Sequence, residues 1–297
     1  MIPSKLSLAL FLLVAPVKAQ LDLVFVLDTT ASFTLEVPLF QQVFSGIVND
    51  VLTTVDADTH FGVATFEDYG ILPFGVETDS PYDRIADLQP NTMNVTTLVA
   101  GIVAGLGNDM MESGLTALDQ IINGEGQAFG QGMEIPEGLQ MNFRDDAIKI
   151  IVLWTDSAFN DPEQTPGYPG PSFDSVIASL TNETVQPPFR FVGISRSEDS
   201  AAETDLVRLA DATGSTNLLG DFECFPGMNV TNNTALVCEG VAAPDATIIQ
   251  TAFVNMITQA YQLDGADDEF VPLQCGGLYA AVCLIAGGLA AGLSCFT

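Results

Sequence analysis

The chain has 297 residues, with 8 Lys and Arg against 38 Asp and Glu, one His, five Cys and a formal net charge of -30. A surface this acidic, with no basic stripe to offset it, repels phosphate backbones and excludes nucleic-acid binding. One His, together with cysteines that form no C-x-x-C pair, excludes His-rich and ribbon-type zinc sites. Charged residues make up 15% and hydrophobic ones 47% of the chain, a globular composition from which the basic residues are missing.

Residues 1–19 (MIPSKLSLALFLLVAPVKA) place a Lys ahead of an apolar run and end on small residues, the pattern of a secretory signal peptide. From residue 20 to 264, apolar runs alternate with helical spacing. This predicts an α/β domain: a doubly wound, mostly parallel central sheet with one antiparallel edge strand and helices on both faces. A buried strand is expected at 21–27 (LDLVFVL), then a helix over 36–54 with its stripe through Val37, Phe40, Val43, Phe44, Ile47 and Leu52. Strands at 61–66 and 70–74 read as a hairpin turning at Glu67, Asp68 and Tyr69. Helices follow at 95–106 and 113–122, then a Gly-rich loop over 124–138 with no periodicity. Residues 148–154 (IKIIVLW) form the next central strand. A helix at 172–180, a strand at 189–194, a helix at 201–212, a short edge strand at 217–219 and a closing helix at 246–262 complete the series. Residues 221–244 read as an insertion. A bridge between Cys224 and Cys238 would staple it, at roughly 3 kcal/mol for a loop of about 15 residues.

Residues 275–297 carry no charge and are long enough to span a bilayer. A transmembrane helix would be followed by Lys or Arg, and none occurs after Arg208. A glycosylphosphatidylinositol anchor signal fits better: small residues at Asp264, Gly265 and Ala266, a polar spacer to residue 274, then the apolar tail, with Gly265 as the attachment residue. Loss of the tail removes three cysteines and leaves Cys224 and Cys238 as an even pair. Asn94, Asn182, Asn229 and Asn232 each open an Asn-X-Thr sequon, in keeping with secretion to the cell surface.

Ligands of open α/β sheets bind beyond the carboxyl ends of the strands. After the first strand stand Asp28, Thr30 and Ser32, a carboxylate and two hydroxyls at alternate positions. Asp156 follows Thr155 after the central strand, and Glu112 heads a helix at the same edge. Five hard oxygen donors suit Mg²⁺, Mn²⁺ or Ca²⁺. The plainer readings are a helix cap for Asp28, Thr30 or Ser32, a first-turn acid for Glu112 and a turn residue for Asp156.

A hydrophobic strand, D-x-T-x-S and a later strand ending in Thr-Asp resemble the von Willebrand factor A domain with its metal-ion-dependent adhesion site. Within that superfamily the chain is most similar to the A-like domain of integrin β subunits. The similar stretches are LDLVFVLDTTASF, FGVATFEDYGILPFG, ESGLTALDQI, IIVLWTDSAF and IIQTAFVNMITQAYQL, in the family's order over most of residues 21–263. Glu112 stands where ordinary A domains carry Thr and integrin β subunits carry Glu. Leu35 and Glu36 replace the two aspartates of the neighbouring Ca²⁺ site. Asp109 keeps its spacing to Glu112, whereas Asn108 is shifted by one and Met111 replaces the expected proline. Glu36 and Asp109 are therefore partial matches for flanking cation positions.

The resemblance implies a cell-surface adhesion module that engages a protein or glycan, offering a carboxylate, through Mg²⁺ or else Mn²⁺ or Ca²⁺. An enzyme is not expected: Thr30 stands where a phosphoryl-transfer site would need a second Asp, and no phosphate loop or G-x-S-x-G elbow follows a strand. The alternative is an acidic coat or wall protein with a vestigial metal site.

Overall fold

A computed structural model describes residues 20–56, 58–105, 107, 110–130, 132–185, 188–196, 200–216, 223–225, 228–229, 235–238 and 245–265. The signal peptide, the apolar tail, its spacer beyond Gly265 and the strand expected at 217–219 lie outside the described residues. The elements run β1 (Gln20–Asp28), α1 (Glu36–Thr54), β2 (Thr59–Phe66), β3 (Asp83–Gln89), α2 (Thr92–Val99), β4 (Met111–Glu112), α3 (Gly114–Ile122), β5 (Gln127–Gly130) and β6 (Met133–Ile135). They continue with β7 (Ala147–Thr155), β8 (Ala158–Phe159), α4 (Phe173–Leu180), β9 (Phe189–Ser195), α5 (Ser200–Ala212), β10 (Glu223–Phe225), β11 (Met228–Asn229), β12 (Val237–Cys238) and α6 (Ala246–Gly265).

The central sheet has the order β12-β9-β7-β1-β2-β3, with only β3 antiparallel to its neighbour. β1 is buried on both faces because helices cover both. Leu21, Leu23, Phe25 and Leu27 point into one layer with α1, α2 and α6. Val24 and Val26 point into the other, with α3, α4 and α5. The alternation follows from the period-2 geometry of a strand. α1 delivers Val37, Phe40, Val43, Phe44, Ile47, Val48 and Val51 along one stripe. Phe25 lies edge-on to Phe40 at 5.8 Å and to Phe44 at 5.5 Å, and Trp154 lies edge-on to Phe253 of α6 at 5.6 Å.

Five sequence expectations are corrected. β2 pairs with β3, not with residues 70–74, where Ile71 N donates to Tyr69 O and Phe74 N to Ile71 O in successive turns and Pro73 offers no N–H. Charged Asp83, Arg84 and Asp87 hid β3, whose buried Ala86 and Leu88 enter opposite apolar layers. α2 ends at Val99 rather than 106: Gly101 N turns back to Leu98 O, and Gly105 N reaches Thr29 O at 2.5 Å. The Gly-rich stretch holds the β5–β6 hairpin, and Glu112 lies in β4 rather than at a helix start. Residues 221–244 are more than an insertion, because β12 supplies the sheet's edge beside β9. Cys224 and Cys238 are bonded, with Cα atoms 5.9 Å apart, and both are buried in the α1/α6 layer. Among the described residues no helix is long and apolar enough to cross a membrane.

At the sheet's N-terminal edge Asp22 is wholly buried in β1. Arg144 answers it, with Nε 2.7 Å from Asp22 Oδ1 and the backbone N 2.6 Å from Oδ2, while Nη1 reaches Asp58 Oδ1 at 3.0 Å. Arg144→Met strands the Asp22 charge, so urea denaturation should show a loss of about 3 kcal/mol or more. Asp22→Asn in the same chain should return a good part of that loss.

Candidate functional site

β1 sits where the chain's direction of winding reverses, with β2 on one side and β7 on the other. The crevice beyond their carboxyl ends is the natural ligand position of such a sheet. Asp28 closes β1 and is fully buried. Its Oδ1 accepts from Thr30 N (2.9 Å) and Thr30 Oγ1 (2.6 Å), and its Oδ2 accepts from Thr155 Oγ1 at 2.8 Å.

Thr30 is extended and opens a 3₁₀ turn over Ala31–Phe33. Phe33 plugs that turn into the core, edge-on to Trp154 at 5.3 Å, which leaves Ser32 exposed above the crevice. Thr30 Oγ1 and Ser32 Oγ are 3.0 Å apart, and Ser32 Oγ donates to Asp156 Oδ1 at 2.9 Å. Asp28, Thr30, Ser32 and Asp156 thus form one continuous run of oxygen atoms, two carboxylates joined by two hydroxyls.

Glu112 is buried and reaches this edge by backbone pairing: β4 runs beside β8, which starts two residues after Asp156, and Asn160 N donates to Glu112 O at 2.9 Å. Glu36, buried at the start of α1, faces Arg196, whose Nε is 2.9 Å from Glu36 Oε1. Asp109 lies outside the described residues. Among the described residues no three His, Cys, Asp or Glu side chains are gathered into a set that could by itself hold a metal. The donor chemistry that fits a hard cation is instead the mixed carboxylate and hydroxyl run.

Sequence reasoning passed over several groups here. Glu67 and Asp68 follow β2 directly and so share the carboxyl edge; their position at a strand end was the available signal. A Cβ at Gly107 (φ +71°) would sit 3.4 Å from the Thr30 side chain and 3.6 Å from Asp68 Oδ2, which puts the buried Asp68 carboxylate on the Thr30 side of the crevice. Glu67 Oε2 accepts from Ser80 N at 3.2 Å, Ser113 N donates to Glu67 O at 3.2 Å, and a methyl group at Gly105 would overlap the Glu67 carboxylate. Arg196 and Thr155 complete the missed set.

Burial pushes the Asp28 carboxyl up to about 6, against the hydrogen bonds of Thr30 and Thr155 that favour its ionised form; the charge of Asp156 adds to the rise. Glu36 is raised by burial and pulled back by Arg196. Of the sequon asparagines, Asn94 is exposed on α2 with Nδ2 on Gln89 Oε1 at 2.9 Å, and Asn182 is exposed after α4. Asn229 lies in β11, and Asn232 is outside the described residues.

No protein-family model matches the chain, and no curated protein matches it. Among solved structures, the chain is similar to two of proximal thread matrix protein 1 from the mussel byssus. Each has a TM-score of 0.47, at 15% and 16% identity, over 81% and 82% of this chain. The chain spans about half the length of these neighbours, 48% in both cases.

Burial raises the Glu67 carboxyl from 4.5 to about 7, and nearby Asp79 and Asp83 add to the rise. An acid whose folded pKa is raised favours the folded state at low pH and loses that contribution as pH climbs from the unfolded value to the folded one. Glu67→Gln should therefore melt with the wild type near pH 4.5 and progressively above it up to pH 7. Parallel melting curves across that window would contradict the assignment.

Proposed function

We propose that the chain is a von Willebrand factor A-like binding module that engages an extracellular protein or glycan partner through one divalent cation. Asp28, Thr30, Ser32 and Asp156 would hold Mg²⁺, or else Mn²⁺ or Ca²⁺, with Glu112 beside them. The observation that carries this reading is the unbroken oxygen run from Asp28 to Asp156 at the reversal of the sheet. A bound cation supplies a coordination position that a partner's carboxylate can fill.

The chain's own residues do the remaining work. Thr155 and Thr30 orient Asp28 from both sides, and the Phe33 plug fixes the hydroxyls of Thr30 and Ser32 without adding charge. On this reading the crevice binds rather than catalyses; His60, the chain's one imidazole, lies in β2 one residue from its start, at the far edge of the sheet.

An anchor at Gly265 suits such a module. Asp264, near the end of α6, is clasped by Arg190, with Nη2 2.5 Å from Oδ1 and Nε 3.0 Å from Oδ2. Arg190 is the second residue of β9, so Asp264 lies at the sheet edge opposite Asp28, where an anchor on the next residue would be. A tethered chain would present its crevice away from the membrane.

The net charge of -30 favours one competing reading, an acidic coat protein that gathers cations diffusely. Calorimetric titration of residues 20–265 with Mg²⁺, Mn²⁺ and Ca²⁺ separates the two. One saturable site that both Asp28→Ala and Glu112→Ala remove is expected; many weak sites indifferent to Asp28→Ala would support the coat. Phospholipase C specific for phosphatidylinositol should release the full-length protein from cells, and retention after treatment would favour a transmembrane tail.

A further inference from the structure

Arg196 stands one residue beyond β9, its backbone N donating to Thr155 O at 3.0 Å. Its guanidinium lies between carboxylates from two different elements. Nε is 2.9 Å from Glu36 Oε1 on α1, and Nη1 is 3.0 Å from Asp156 Oδ2 beyond β7. The same Nη1 donates to Ser32 O at 2.5 Å. Asp156 is therefore divided: Oδ1 accepts from Ser32 Oγ in the oxygen run, and Oδ2 belongs to Arg196. Glu36 is 7% exposed, and its Oε2 finds no hydrogen-bond partner among the described residues.

We infer that Arg196 is a tethered cation that fills the space between Glu36 and Asp156, bars a second divalent ion from it, and weakens the Asp28 site by holding one oxygen of Asp156. The inference rests on the cation reading of the crevice given above. A planar guanidinium can clasp two carboxylates along two edges at once. Because it is covalently attached, it loses no translational freedom in doing so, whereas a free ion must. Its charge also opposes any divalent ion bound to the far oxygen of Asp156. At separations of about 5 Å in a water-like dielectric that repulsion is on the order of tenfold in affinity. With Arg196 gone, Glu36 Oε1 and Oε2, Asp156 Oδ2 and Ser32 O form an all-oxygen set without a counter-charge, which suits Ca²⁺.

The test counts ions. Residues 20–265, which carry the six-stranded sheet, both apolar layers and the disulfide, are titrated with Ca²⁺ and Mn²⁺ by calorimetry and equilibrium dialysis. The set comprises wild type, Arg196→Gln, and Arg196→Gln combined with Asp28→Ala. Wild type should bind one ion. Arg196→Gln should bind two, the first about tenfold tighter, and the combined variant should keep only the new one.

If wild type binds one ion and Arg196→Gln matches it in number and affinity, the role of Arg196 is overturned while the cation reading stands. If wild type binds none and Arg196→Gln gains a site, Arg196 is the block and the cation reading fails for the native chain. If neither binds an ion, both fall. Should Arg196→Gln fail to fold, Glu36→Gln with Arg196→Gln removes both charges together. That pair should bind one ion about tenfold tighter than wild type, and an unchanged affinity overturns the inference.

Discussion

Carboxylates outnumber cations 38 to 8 in this chain, so a cation can stand beside only a few of the buried carboxylates. Arg144 stands against Asp22 in the first strand, Arg190 against Asp264 at the end of the last helix, and Arg196 against Glu36 and Asp156 at the crevice. Each of these pairs joins segments far apart in sequence. Isolated burial of Asp22 or Glu36 would cost several kcal/mol, so the ion pairs are conditions for the packing around them. Arg208, by contrast, pairs with an exposed Asp174 and lies over the Phe173 ring at 4.4 Å, where it contributes little beyond surface packing.

The two edges of the sheet use charge differently. At the N-terminal edge Arg144 also reaches Leu21 O and Asp58 O, so a single side chain closes the start of β1, the turn into β2 and the approach to β7. At the carboxyl edge Asp28, Glu67, Asp68, Glu112 and Asp156 all gather, and Arg196 reaches only Asp156 among them in the ion pairs described. At Asp28 and Glu67, hydroxyls and backbone N–H groups supply the hydrogen bonds. The first edge is neutralised and structural; the second keeps an excess of negative charge beside a solvent-facing crevice.

Much of this was legible in the sequence. β1, β7 and β9 have apolar runs that burial on two faces explains, α1 has a single apolar stripe at helical spacing, and their observed limits differ from expectation by a residue or two at most. The strands of the central sheet that escaped lie at its two edges. β3 buries only Ala86 and Leu88 among charged and half-exposed residues, and β12 is two residues long and held by β9 and the Cys224 bridge. At the crevice, alternate spacing of Asp28, Thr30 and Ser32 was readable because one turn carries all three. Arg196 was not readable, because its partners lie on α1 and beyond β7, and no local pattern records a contact made across the sheet.

The cost of gathering carboxylates at one edge is plainest at Asp28. It is fully buried and accepts from three donors, yet burial still outweighs them and lifts its carboxyl to about 6. Hydrogen bonds from neutral hydroxyls and an amide thus compensate only part of the lost hydration. Arg196 cannot complete the compensation, since Glu36, Asp156 and Ser32 O already occupy it. On the cation reading proposed for the crevice, a proton and a bound ion would compete for these same oxygens. Thr30, Ser32 and Thr155 hold them on a turn pinned by Phe33, so an ion would meet donors already arranged.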